Sequence, residues 1–490
     1  MLAALAAVPL VAVVIAMAAG LRAAVAGALG LGLALALLPL GFDLTAGGVL
    51  PPALAIGGPL AEALSSAAVI LWIILPALVI YELQDRAGAL YRIRDALAAL
   101  TPDRSLQVML IAWFFGLFME GAAGFGASVA LAAPLLVGLG LPPVRAVAVA
   151  LLGHAPGVSF GAIGTPVLVQ VEATGLPPVA IATATAALHA PLLAGFALVV
   201  MRLSTGARLS RAQVLWSLAA AACFALPTLA FAALAGPELA TLGGALIGGS
   251  VFAVLLRRRG GASLAVPGLL RDLAPYLIIV ALVLATRLID PLQAALTDLS
   301  LSWELHGGFR GGFLPLYHAG TLLMLGVVAG ALVTGRAALI VPAFVAAMRR
   351  LWPVALALVV MLALARVMVH AGMIGALADA ATGAGHFWPL FAPLIGVLGS
   401  FVTGSATASN ILFTPLQAET AAALGLAPVA MAAAQGLGAA IGNAVAPHNI
   451  IAGAATVGLT GREGLVLRLT ALPVVGYALG AGLILWLWIG

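Results

Sequence analysis

The chain has 490 residues, 64% of them hydrophobic and only 8% charged, with mean hydropathy +1.22. Soluble proteins carry about 25% charged residues, so the membrane is the solvent here, and no polar tract is large enough for a soluble domain. All 21 basic residues are arginine, which excludes a P-loop or Schiff-base lysine and an ATP-driven pump with its own nucleotide site.

Apolar runs at 2–19 and 23–40 open the chain. The first lacks a basic n-region and a clear cleavage site, so it reads as a retained helix. A third run, 62–83, leads to Arg86, Arg92, Arg94 and Arg104. Next comes a glycine- and hydroxyl-rich break in an apolar run, Phe118-Met-Glu-Gly-Ala-Ala-Gly-Phe-Gly-Ala-Ser128, then Gly140-Leu-Pro-Pro-Val144 and a second break at 153–166. Runs at 179–200, 214–233, 237–256, 273–290, 314–334 and 352–372 follow. Between them stand Arg202, Arg208 and Arg211, then Arg257, Arg258, Arg259 and Arg271, then Arg349 and Arg350. The third break, Phe401-Val-Thr-Gly-Ser-Ala-Thr-Ala-Ser-Asn410, precedes Gly425-Leu-Ala-Pro-Val429, a fourth break at 442–449, Arg462 and Arg468, and a final run at 465–489. With the segments around the breaks, the estimate is about 12 to 14 crossings at ~20 residues each. The lone Cys223 lies mid-span and reads as a small hydrophobe.

The breaks are paired. Gly121 and Gly404 lie 283 residues apart, the Gly-Leu-x-Pro-Val motifs 285, and Gly161 and Gly442 281. Basic clusters belong in the cytoplasm, whereas the loops near 41–61, 234–238 and 291–306 hold acids and no arginine. Both termini then lie outside. The helix leading into the first motif enters from inside, and the one leading into the second, near 387–400, enters from outside. The expected fold is an all-α polytopic membrane protein with two inverted repeats, approximately 62–213 and 350–490, joined by scaffold helices at 214–349. Re-entrant hairpins and broken helices would carry the site at the midplane.

Non-helical backbone within a membrane is tolerated only where protein or a watery cavity satisfies its polar groups. Gly121, Gly124, Gly126, Ser128, Ser159, Gly161, Thr165, Thr403, Gly404, Ser405, Ser409 and Asn410 are therefore the candidate substrate contacts. Exposed N–H groups at helix N-termini there suit a carboxylate. Close helix packing through small residues is the alternative reading of each glycine. Ionisable residues inside spans are expensive and point to function. Glu120 is read as a proton carrier, an arginine partner or a helix cap. Arg366, one turn before His370, is read as a fork for a carboxylate, a partner of Glu120, or a snorkelling residue. His154 and His448, each in a break, join Glu120 as proton-coupling candidates. Gly157-Val-Ser-Phe-Gly161 fits the hydrolase G-x-S-x-G pattern but has no strand to sit on, and no histidine spacing suits a metal. No cofactor, metal or nucleic-acid partner is expected, and a homodimer is one admissible assembly.

Four stretches, Glu120-Gly-Ala-Ala-Gly-Phe-Gly-Ala127, Phe160-Gly-Ala-Ile-Gly164, Gly399-Ser-Phe-Val-Thr-Gly-Ser-Ala-Thr-Ala-Ser-Asn410 and Ala454-Ala-Thr-Val-Gly-Leu-Thr-Gly-Arg-Glu463, resemble the bacterial L-lactate permease family over nearly the whole chain. The resemblance implies a bacterial cytoplasmic-membrane symporter that imports lactate, and often glycolate, with protons. It also implies a wider superfamily of inverted repeats. The chain departs from the family pattern, which has an Asp where Ala406 stands here, a Lys near the position of Asn443 and a Gln near that of His448. Loss of acid and base together suggests a swapped-out ion pair. The expected function is import of a small 2-hydroxy monocarboxylate by proton symport. Sodium-coupled symport or cation/proton antiport on the same architecture is the alternative, a channel a third class, and an enzyme is not expected.

Overall fold

The computed structural model describes residues 1–45, 49–124, 126–258, 268–459 and 461–489. Phe125, Arg259 and Thr460, which belong to a break motif, an arginine cluster and the tail motif, lie outside them.

The chain begins with α1 (Leu2–Ala18), α2 (Ala23–Ala36), α3 (Pro52–Arg86) and α4 (Ala89–Ala98). A continuous span then joins α5 (Arg104–Val108), a π-helical stretch Met109–Phe115 and α6 (Gly116–Ala122). The first half continues through α7 (Ala127–Gly138), α8 (Pro143–His154), a 3-10 turn Ala155–Phe160, α9 (Gly161–Thr174) and α10 (Pro178–Thr205). Next come α11 (Arg211–Leu234), α12 (Pro237–Arg258), α13 (Leu269–Leu288), α14 (Asp290–Thr297), strands β1 (Leu301–Leu305) and β2 (Phe309–Phe313), and α15 (Ala319–Val333). The second half comprises α16 (Ile340–His370), α17 (Met373–Ala381), α18 (Trp388–Thr403), α19 (Ala406–Ala423), α20 (Pro428–Gly442), α21 (Pro447–Thr456) and α22 (Glu463–Ile489). Among the described residues, eleven helices are long and apolar enough to cross a bilayer. The apolar helices α1, α2, α7 and α15 are shorter. The chain is a multi-pass helical membrane protein.

Helix ends follow local chemistry. Prolines open α3, α8, α10, α20 and α21, where their missing N–H costs nothing and their fixed φ suits the first turn. Ser210 and Gln213 form a capping box on α11, satisfying two otherwise orphan donors. The backbone leaves regular helix at all four expected breaks.

Several boundaries differ from expectation. The span expected at 352–372 starts at Ile340, so Arg349 and Arg350 lie inside α16 rather than before it. The third span starts at Pro52 rather than at Glu62, so Glu62 lies about three turns inside a helix. The loop expected at 291–306 is instead α14 and the first strand of a hairpin, with Trp303 opposite Gly311 and Glu304 opposite Arg310. A three-residue turn containing Gly307 and Gly308, both left-handed, closes it, as short hairpin loops demand. The hairpin lies on α3: Trp303 Nε1 donates to Ser65 Oγ at 3.2 Å, and Phe309 is buried. Because the hairpin takes residues up to Phe313, the span expected at 314–334 begins at Ala319.

Long packings run between α16 and α3, α11 and α12, and α18 and α20. The two ends of the chain interlock: α9 packs on α19, α10 on α20, and α21 on α7 and α8. Glu62 and Glu82 on α3 mark opposite ends of the span, about 30 Å apart at 1.5 Å per residue. Glu82 pairs with Arg350 at 3.0 Å on the arginine-rich side.

Candidate functional site

Glu120 occupies the last turn of α6 and is almost wholly buried. Ser128, in the first turn of α7, donates to Glu120 Oε2 at 2.8 Å. The imidazole Nε2 of His154, at the end of α8, lies 3.8 Å from the same oxygen. His154 Nδ1 is 2.7 Å from the Ala150 carbonyl oxygen. A carbonyl only accepts, so Nδ1 carries the hydrogen and a neutral ring turns its Nε2 lone pair toward Glu120. Carboxylate and lone pair repel, so the pair becomes complementary once one proton sits on either partner.

The backbone around this pair is tightly fitted. A Cβ on Gly161 would fall 2.5 Å from Glu120 Oε1, and one on Gly121 would fall 2.6 Å from the Leu242 nitrogen. Gly124 faces Ala162, and Gly126 caps α7. Thr165 Oγ1 donates to the Ala162 carbonyl at 2.6 Å. Ala162, Ile163 and Gly164 run through three consecutive left-handed conformations. That is ordinary for glycine but costs roughly 1–2 kcal/mol for each of the other two residues.

In the second half, Gly404 turns the chain with φ 70° between α18 and α19. Thr403 Oγ1 donates to the Gly399 carbonyl at 2.8 Å, and Ser405 Oγ accepts from Ala408 N at 3.3 Å as the cap of α19. His448, exposed in the first turn of α21, packs beside Gly404. Asn449 Nδ2 donates to Asn443 and, at 3.5 Å, to the Gly404 carbonyl. The N-termini of α19 and α21 thus meet at one tip, a setting with positive dipole ends suited to an anion. Ser409 and Asn410 are fully buried instead. Ser409 Oγ donates to the Gly396 carbonyl and accepts from Gln435. Asn410 Nδ2 donates to the Pro166 carbonyl at 2.9 Å.

The four breaks touch in series. Glu120 meets Gly161, Asn410 reaches Pro166, Ala406 clusters with Val158, Ala439 and Ala440, and Gly404 meets His448. Ala406 is therefore in apolar surroundings. At the same interface, Gln170 donates to Thr414 Oγ1 and the Ala432 carbonyl. The Gln170 Oε1 and Asn410 Oδ1 oxygens accept no hydrogen bond among the described residues.

Arg366 lies apart from this series. Its Nη1 is 3.7 Å from Glu62 and its Nη2 donates to the Glu172 carbonyl at 2.6 Å, so its partners sit on α3 and α9, not on Glu120 or the tip at Gly404. Several polar groups escaped sequence reasoning. His189 bridges Ser159 Oγ at 2.8 Å and the Tyr477 hydroxyl at 2.7 Å. Glu62, Glu172 and Glu238 are acids inside apolar spans, and the rule that selected Glu120 applied equally to them.

A family model described as L-lactate permease matches residues 2–263 and 312–489. An L-lactate permease of Streptococcus iniae is 31% identical over 379 residues, covering 74% of this chain and 80% of the relative. The glycolate permease GlcA of Escherichia coli K12 is 30% identical over 475 residues, covering 85% and 83%. Among solved structures, the Alcanivorax borkumensis YdaH transporter aligns with a TM-score of 0.49 at 16% identity, over 88% of this chain and 86% of that one.

Proposed function

The chain belongs to the L-lactate permease family, and we propose that it imports L-lactate and similar 2-hydroxy monocarboxylates such as glycolate by proton symport across the bacterial cytoplasmic membrane. It is a transporter and not an enzyme. The observation that carries the reading is the series of four touching breaks, with a buried carboxylate–imidazole pair at one end and two convergent helix N-termini at the other. The substrate carboxylate would take the backbone N–H groups at the Gly404 tip, with Thr403, Ser405 and His448 around it. Glu120 with His154 would take the proton, so anion and proton cross together with no net charge. Gly161 keeps the backbone close to that pair, Gly121 and Gly124 let the first break pack on Leu242 and Ala162, Gly126 caps α7, and Ser128 orients the Glu120 carboxylate. The regions 62–213 and 350–490 are proposed as inverted repeats that move against the helices between them.

A sodium-coupled reading draws on the unpartnered Asn410 Oδ1 and Gln170 Oε1. Two neutral oxygens fall short of a full cation shell, and the proton reading is preferred. The test is uptake of labelled L-lactate into proteoliposomes under an imposed pH gradient or an imposed Na⁺ gradient, with glycolate, pyruvate and acetate as competitors. The expected result is accumulation with an acidic exterior and competition by glycolate above acetate. Accumulation on a Na⁺ gradient alone, at equal pH, would overturn the proton reading.

A further inference from the structure

We propose that Glu62 and His370, with Arg366 and Glu172, form a second proton-binding site near the face opposite the arginine clusters; this rests on the proton-coupled reading above. His370 Nε2 lies 2.8 Å from Glu62 Oε2, while the other Glu62 oxygen accepts from the Arg310 backbone N–H at 3.1 Å. Arg366, one turn before His370, ties Glu62 to the Glu172 carbonyl, and Ser66 contacts both Arg366 and the Glu172 carboxyl. Four separate segments, α3, α9, α16 and the β-hairpin, are joined at this point.

Charge counting makes the cluster a proton site as well as a brace. Two carboxylates, Glu62 and Glu172, face one permanent cation, Arg366. Neighbouring charges do not make up the deficit. Glu238 is matched by Arg287 at 3.0 Å, and Arg310 meets Glu62 through its backbone N–H, while its position in the hairpin is opposite Glu304. His318 accepts from the Gly320 N–H through Nδ1. With His370 neutral, the group carries one uncompensated negative charge in surroundings where such a charge is costly. One proton on His370 brings it to neutrality.

Both ends of the cluster are reachable. The His370 side chain is 30% exposed at the edge of the hairpin, where the Phe309 ring sits 4.9 Å away. Glu172 lines a cavity of about 460 Å³ whose wall also holds Glu238, Arg287, Tyr317 and His318. The mechanical consequence runs through Arg366. Without the proton it is, among the described residues, the one cation in contact with both Glu62 and Glu172. With His370 protonated, Glu62 has a second cation and Arg366 is freer to follow Glu172. Glu172 lies in the last turn of α9, and the left-handed residues Ala162, Ile163 and Gly164 link that helical part to Gly161, which packs against Glu120. Protonation at His370 thereby bears on the same kinked segment that packs on the Glu120 carboxylate.

The test uses the full-length protein in proteoliposomes, with initial L-lactate uptake measured against external pH and lactate exchange at symmetric pH as the folding control. His370→Gln keeps a hydrogen-bond donor for Glu62 but cannot titrate, and Glu172→Gln removes the surplus charge. Each is expected to lower gradient-driven uptake by about tenfold and to flatten its dependence on external pH, with exchange largely preserved. Wild-type pH profiles in both variants would overturn this site while leaving the symport reading intact. A wild-type protein driven by Na⁺ alone would overturn both.

Discussion

Adding one methyl group at Gly161 tests the fit around Glu120. The residue has φ −62° and ψ 158°, a conformation open to alanine, so Gly161→Ala leaves the backbone unstrained and acts through space. Its Cβ would lie 2.5 Å from Glu120 Oε1, far inside ordinary contact. The carboxylate can yield only by loosening the Ser128 bond on its other oxygen, a loss of about 1.5–3 kcal/mol for a charged acceptor. If it stays, overpacking costs about 1–3 kcal/mol. Across the two routes, L-lactate uptake should fall between about fivefold and a hundredfold, at about 1.4 kcal/mol per decade. Rates would be measured in proteoliposomes, normalised to incorporated protein, with thermal unfolding as the check on integrity. Glu120→Asp shortens the acid by one methylene and removes the overlap, so the double variant should transport faster than Gly161→Ala alone. The coupling energy should exceed about 1 kcal/mol, as expected for residues in contact. Wild-type uptake by Gly161→Ala, or strictly additive effects in the double variant, would refute the reasoning.

Ala406→Asp would place a carboxylate among Val158, Ala439 and Ala440, costing several kcal/mol as an unpaired buried charge. Membrane yield and melting temperature should drop, and adding Asn443→Lys, at the C-terminal cap of α20 about one turn beyond Ala439 and Ala440, should recover both; an unaffected single variant would contradict the packing. Ala162→Gly removes one left-handed penalty of about 1 kcal/mol. It should raise the melting temperature while slowing turnover if the cycle needs that strain, and a lower melting temperature would count against it.

The four breaks were legible because glycine, hydroxyl and amide residues stand out in an apolar background, and because their spacing repeats. The roles of individual polar residues were less so. Arg366 and His370 could be placed on one helix face from their i, i+4 spacing, but their common partner Glu62 is some 300 residues away and lay at the edge of its apparent span. His189 and Tyr477 are each single polar residues on apolar helices, 288 positions apart. Nothing local marks such a pair. The β-hairpin was hidden for another reason: ten strand residues hold too few apolar positions to stand out between two membrane helices. Its Gly307-Gly308 turn was the available signal.

Many bonds that fasten the two ends of the chain together have a side-chain donor on one side and a main-chain oxygen on the other. Asn410 uses Pro166, Gln170 uses Ala432, Ser159 uses Gly436, and Arg366 uses Glu172. A carbonyl is the same acceptor whatever residue bears it, so one partner in each contact is indifferent to mutation, and the interface can drift in sequence without being rebuilt. It is also repetitive. Acceptors recur at every residue along a helix, about 1.5 Å apart in rise, so a donor displaced by a sliding helix finds another oxygen within reach. The seam between the halves is built less like a lock with one key than like a rack of equivalent slots.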